Sequence, residues 1–71
     1  MDEIRYQIER IGKNGRLTGM AWHYGFALWV PVSRIDASIA TRQGAEAICQ
    51  EWDLEIGLEV EITEHCWPAA K

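Results

Sequence analysis

Between Gln43 and Ala70 the chain has no lysine and no arginine, although seven carboxylates fall there: Glu46, Glu51, Asp53, Glu55, Glu59, Glu61 and Glu64. That absence rules out charge neutralisation within the segment, so one part of the sequence is strongly negative. The preceding part, Met1 to Arg42, holds six basic and four acidic side chains. Cysteine is scarce too. Cys49 and Cys66 fit neither a zinc motif nor a redox pair, and they read as reduced thiols, with one disulfide as the alternative. No apolar run approaches the roughly 20 residues that cross a bilayer. The start at Asp2 and Glu3 has neither the basic nor the apolar region of a secretory leader. These absences predict a cytoplasmic protein. A net charge of −4 also opposes direct binding to a nucleic acid backbone, which is held through lysine and arginine.

Against these absences stands a surplus of tryptophan. Trp22, Trp29, Trp52 and Trp67 lie within 71 residues, and each carries a large apolar area and one N–H that wants a partner. A small core uses two or three of them; one left over, Trp67 or Trp29, would serve as an interface anchor. The length predicts a single domain over 1–71, with about 3–5 kcal/mol of stability from its core.

Alternation places a first strand over Ile4–Ile11, with Ile4, Tyr6 and Ile8 on one face and Arg5, Gln7 and Glu9 on the other. Asn14-Gly15 is a hairpin signal, and Arg16–Tyr24 is the return strand. Gly25 punctuates, and Phe26–Val32 reads as a third strand that ends, or lies at an edge, at Pro31. Ser33–Ala40 is open between irregular strand and short turn. Thr41 is a candidate N-cap for a helix over Arg42–Trp52, whose stripe is Ala45, Ile48, Cys49 and Trp52. Leu58–Glu64 alternates again, with Leu58, Val60 and Ile62 inward and Glu59, Glu61 and Thr63 outward. The tail from His65 to Pro68 either packs over the sheet or frays. The fold class is therefore α+β: an antiparallel sheet of three to four strands, in the order ββ(β)αβ, with one helix packed on one face.

Support for catalysis is thin. His23, His65, Cys49 and Cys66 make a poor metal set, because adjacent His65 and Cys66 point to opposite faces of a strand. A Cys66–His23 nucleophile pair needs a cleft that so small a domain rarely has. Gly12, Gly15 and Gly19 lack phosphate-loop spacing and a following helix. No metal, cofactor or catalytic residue is assigned. Arg5, Lys13 and Arg16, with Tyr6, Trp22 and His23 for stacking, make a weak candidate RNA patch.

The carboxylates carry more. Glu59 and Glu61, on one strand face, would stand roughly 6.5–7 Å apart, close to the spacing of phosphates along one nucleic acid strand. Glu55, Glu46 and Asp53 would extend the row. Such a face suits a groove lined by lysine and arginine. The competing explanation is a solvated charge set that protects a strand edge from aggregation.

In length, charge and element order, including Thr41-Arg42-Gln43-Gly44-Ala45-Glu46-Ala47 and Gly57-Leu58-Glu59-Val60-Glu61-Ile62, the chain resembles the small acidic anti-CRISPR proteins of bacteriophages and mobile elements. The resemblance covers the whole chain and rests on no shared motif, so it transfers no site residue. It implies a non-enzymatic inhibitor in the host cytoplasm that blocks a basic surface of a CRISPR effector complex. The residues expected to bind are Glu59, Glu61 and Glu55, with Glu46 and Asp53 on the flank and Trp67 or Trp29 as anchor. A different class stays open: a small self-associating adaptor, such as a homodimer, with no inhibitory role.

Overall fold

The computed structural model describes residues 2–68. Strand β1 spans Asp2–Ile11, β2 Leu17–His23, β3 Leu28–Pro31 and β4 Val60–Pro68; helix α1 spans Arg42–Glu51. All four strands lie in one antiparallel sheet of order β3-β2-β1-β4. The α+β class read from the alternation is the class observed.

Strand β1 is central because its alternation supports burial on both sides. Its helix-side residues Tyr6 and Ile8 join Ile39, Ala45, Cys49, Val60 and Ile62 in the main core. Its far-side residues Gln7 and Glu9, on the polar side of the alternation, are buried as well. The connection after β3 causes this. From Val32 it runs back across the far face through a 3-10 turn at Ile35–Ala37. Ala37 then packs on Ala21 and Val30, and the Gln7 amide donates to the Val32 carbonyl at 2.9 Å. Ile39 ends the crossing by exchanging two backbone hydrogen bonds with Tyr6, 2.8 and 2.7 Å. The ambiguous segment 33–40 thus makes a turn followed by an isolated bridge.

Two further boundaries differ from the sequence reading. The third strand begins at Leu28, because residues 24–27 form a turn in which Ala27 adopts φ 53°. Phe26, read as a strand residue, sits on that turn and is exposed. The last strand starts at Val60 and runs through the tail to Pro68, paired with β1 in unbroken register from Arg10↔Val60 to Asp2↔Pro68. The tail neither frays nor folds over the edge. Leu58, expected inward, lies in the preceding turn and is 67% exposed.

Helix α1 follows its signals. The Thr41 hydroxyl accepts from the Gly44 N–H at 3.0 Å, and Ala45 and Cys49 are buried against the sheet. Trp52, the fourth member of the expected stripe, is the C-cap residue and is 42% exposed. Past it, Asp53 N–H donates to the Gln50 carbonyl and Leu54 N–H to the Cys49 carbonyl. That pair of bonds is the Schellman arrangement, with Asp53 at φ 57° in the position usually given to glycine. No helix among the described residues is long and apolar enough to cross a membrane.

Candidate functional site

Every ion pair among the described residues draws its carboxylate from the part before Gln43. Glu3 pairs with Arg5, Asp36 with Arg34 and His23, and Glu9 with His65. None of the seven carboxylates from Glu46 to Glu64 has a salt bridge to a described residue. All seven belong to exposed residues.

Their placement follows from the elements. Glu46 lies on the outer surface of α1, Asp53 and Glu55 follow the helix, Glu59 closes the turn before β4, and Glu61 and Glu64 stand on β4 itself. The helix ends with no basic residue in its last turn, although the negative end of its dipole favours cations there. Glu51, Asp53 and Glu55 put three carboxylates at that end instead.

The turn from Glu55 to Val60 is tightly bonded. The Glu55 carbonyl accepts from the N–H groups of Leu58, Glu59 and Val60 at 2.9–3.3 Å. The Glu59 carboxylate in turn accepts from the Glu55 N–H at 3.3 Å. Glu59 therefore reaches back toward the helix, where it shares a shallow depression with Asp53, Glu55 and Gln50. Glu61 projects from the opposite face of the sheet, next to buried Ile62 in the alternation of β4. The expected row of Glu59 and Glu61 on one strand face does not form, because Glu59 belongs to a turn. Glu59 groups with Asp53 and Glu55, while Glu61 stands along β4 with Glu64.

The two proposed tryptophan anchors have different surroundings. Trp29 is half-buried, edge-on to Trp22 at 5.1 Å, with the Arg10 guanidinium 5.5 Å above its ring. It lines an open depression with Arg10, Lys13 and Glu59, where the negative surface meets the cations of the β1–β2 hairpin. Trp67 is half-buried on the far face beside His65. Trp52 is the most exposed of the four tryptophans and is flanked in sequence by Glu51 and Asp53; it packs edge-on against Trp22 at 5.4 Å. Its helical spacing marked it for the core. The signal against that assignment was its position at the last turn, where a stripe residue overhangs the helix end.

The remaining candidates are dispersed. His23 contacts Asp36 at 3.3 Å on the β2 side. His65 lies 3.0 Å from Glu9 at the other edge, with the Thr63 hydroxyl also donating to that carboxylate. Cys49 is buried under the helix, while Cys66 is exposed on β4. Burial, with Glu46 adding to it, pushes the Cys49 thiol above its ordinary value. No three of the described His, Cys, Asp and Glu residues stand close enough to hold one metal ion. Arg5 and Arg16, two of the three cations of the candidate RNA patch, stand apart. Arg16 lies at the hairpin end, its carbonyl bonded to Gly12 N–H, whereas Arg5 pairs opposite His65 and is bonded to Ser38 and Glu3. The Arg34 guanidinium, with His23 beside it, holds the Asp36 carboxyl below its ordinary value.

No family model, curated protein or solved structure matches the chain.

Proposed function

We propose that this protein is a non-enzymatic inhibitor that binds a partner with a basic, nucleic-acid-handling surface and occludes it. The observation that carries the reading is the set of seven carboxylates, all exposed and without a salt bridge to a described residue, on one helix, one turn and one edge strand. A set meant only to solubilise costs least where it does not oppose the fold. Here Asp53 takes a left-handed backbone conformation, and three acids crowd the negative end of a helix dipole. Local rules broken without a compensating contact are characteristic of functional surface. The binding residues are Asp53, Glu55 and Glu59 around Trp52, with Glu46 and Glu61 on the flanks. Given the resemblance in size, charge and element order, the partner proposed is a CRISPR effector subunit in the host cytoplasm.

The test replaces Glu46, Glu55 and Glu61 by lysine, because none of these side chains makes a hydrogen bond to a described residue. Wild type and variant are used as bait in bacterial lysates that carry CRISPR systems, and interference is titrated in parallel. Recovery of an effector subunit by wild type alone, with inhibition saturating at stoichiometric dose, supports the reading. Equal recovery by the variant removes the carboxylates from the mechanism. A second reading, a self-associating adaptor, is favoured by the uncovered outer edge of β4; it predicts a dimer in sedimentation at micromolar concentration.

A further inference from the structure

The outer edge of β4 is an open docking site with defined limits. The Ile11 N–H donates to the Glu59 carbonyl at 2.9 Å. In the β1–β4 register this makes Glu9↔Glu61, Gln7↔Thr63 and Arg5↔His65 the hydrogen-bonded pairs. The alternate residues of β4 therefore turn their backbone groups away from β1. Val60 is already satisfied, since its N–H donates to the Glu55 carbonyl and its own carbonyl accepts from Gly57. Pro68 has no N–H to offer. Between those stops Ile62, Glu64 and Cys66 present their N–H and C=O groups outward, with no partner among the described residues. The strand has no bulge in this stretch, so among the described residues the devices that blunt this edge are charge and the terminal Pro68.

We infer that this edge accepts an extended, basic segment of a partner protein as a fifth strand. The inference rests on the reading that the protein acts by binding a basic partner, and it specifies how. Charge selects the occupant. Glu61 and Glu64 project from opposite faces of β4, and no lysine or arginine lies on that strand. An added strand also alternates faces, so residues three positions apart on it stand beside the two carboxylates. The preferred segment carries lysine or arginine at those two positions. A second copy of the chain fits less well. A two-fold pairing that uses all three outward residues sets Ile62 against Cys66 of the other copy and Glu64 against Glu64, and like charges directly opposite are destabilising.

The probe is a short threonine–valine peptide with two arginines three positions apart, titrated into the isotope-labelled full chain. Binding should slow amide exchange at Ile62, Glu64 and Cys66. Their neighbours Glu61, Thr63 and His65, already bonded to β1, should change little. Glu61→Gln with Glu64→Gln should weaken binding roughly tenfold. Methylating alternate backbone nitrogens of the peptide, with both arginines kept, should weaken it at least as much. Binding without added protection at those three amides, or indifferent to N-methylation, overturns the fifth-strand mode and leaves an acidic surface that binds by charge alone. Protection that survives replacement of both arginines by glutamine overturns the basic partner and strikes the charge reading as well. The same protection appearing with protein concentration alone, without peptide, assigns the edge to a second copy. No saturable binding of the peptide at millimolar concentration overturns the inference.

Discussion

Asp53 shows what a single residue can reveal about the site. A non-glycine residue in the left-handed region costs about 1–2 kcal/mol, and glycine there would forfeit about half of that gain as unfolded-state entropy. Removing an anion from a helix C-terminus contributes about 0.3–1 kcal/mol more. Asp53→Gly should therefore stabilise the protein by about 1 kcal/mol in urea unfolding, while weakening capture of the partner. Asp53→Asn, which keeps the αL-tolerant shape and removes the charge, should recover only the electrostatic part. A loss of stability in both variants would mean that the carboxylate has a structural partner. At this scale the sequence was legible for Ala45 and Cys49, whose helical spacing placed them in the core. It was not legible for Gln7 and Glu9. Their polarity said solvent, and only the crossing of residues 32–38 over the sheet, together with Thr63 and His65, turns that face inward. Those two are costly to truncate, because a buried polar group stripped of its partner loses about 1–3 kcal/mol.

At the scale of elements, capping and alternation identified α1 and all four strands, and failures gathered at strand ends, where a turn borrows strand-like residues. Phe26-Ala27 and Leu58-Glu59 continue an alternating pattern, yet both pairs sit in turns closed by local backbone bonds. For the first, His23 C=O accepts from Phe26 and Ala27 N–H; for the second, Glu55 C=O accepts from Leu58 and Glu59. Periodicity reports which faces are apolar and says nothing about where the chain reverses. The opposite error occurred at the C-terminal end, where His65–Pro68 lacks clean alternation but is held by long-range pairing to Asp2–Arg5. Tertiary pairing overrode a weak local signal there. The helix start rests on a local device that can be tested alone. Thr41→Ala removes the acceptor for Gly44 N–H and should cost about 1 kcal/mol, read as a lower urea midpoint at unchanged slope. Thr41→Ser should restore most of it. If alanine is neutral, the helix is held by packing of Ala45 and Cys49 alone.

Across the whole molecule, the carboxylates with ion-pair partners and those without sit on different elements. The ion-paired carboxylates Glu3, Glu9 and Asp36 lie on β1 and in the 3-10 turn, while α1, the following turn and β4 hold seven acids without an ion-pair partner among the described residues. The domain measures 37 × 24 × 20 Å. At about 0.01 M salt the screening length is roughly 30 Å, longer than two of those dimensions, so each carboxylate feels all the others. At about 0.1 M it is roughly 10 Å, and repulsion survives only between near neighbours such as Asp53, Glu55 and Glu59. Self-repulsion opposes the compact state. Raising salt from the first value to the second should therefore increase the thermal midpoint of the isolated protein. The same change should weaken its complex with a basic partner, because screening removes attraction as readily as repulsion. Opposite signs are the signature of an acidic surface kept for binding. The Glu46, Glu55 and Glu61 lysine variant should lose both responses together, which thermal melts and a binding titration in the same buffers would check. A wild-type complex that tightens with salt would instead point to an apolar interface around Trp52, with the carboxylates as bystanders.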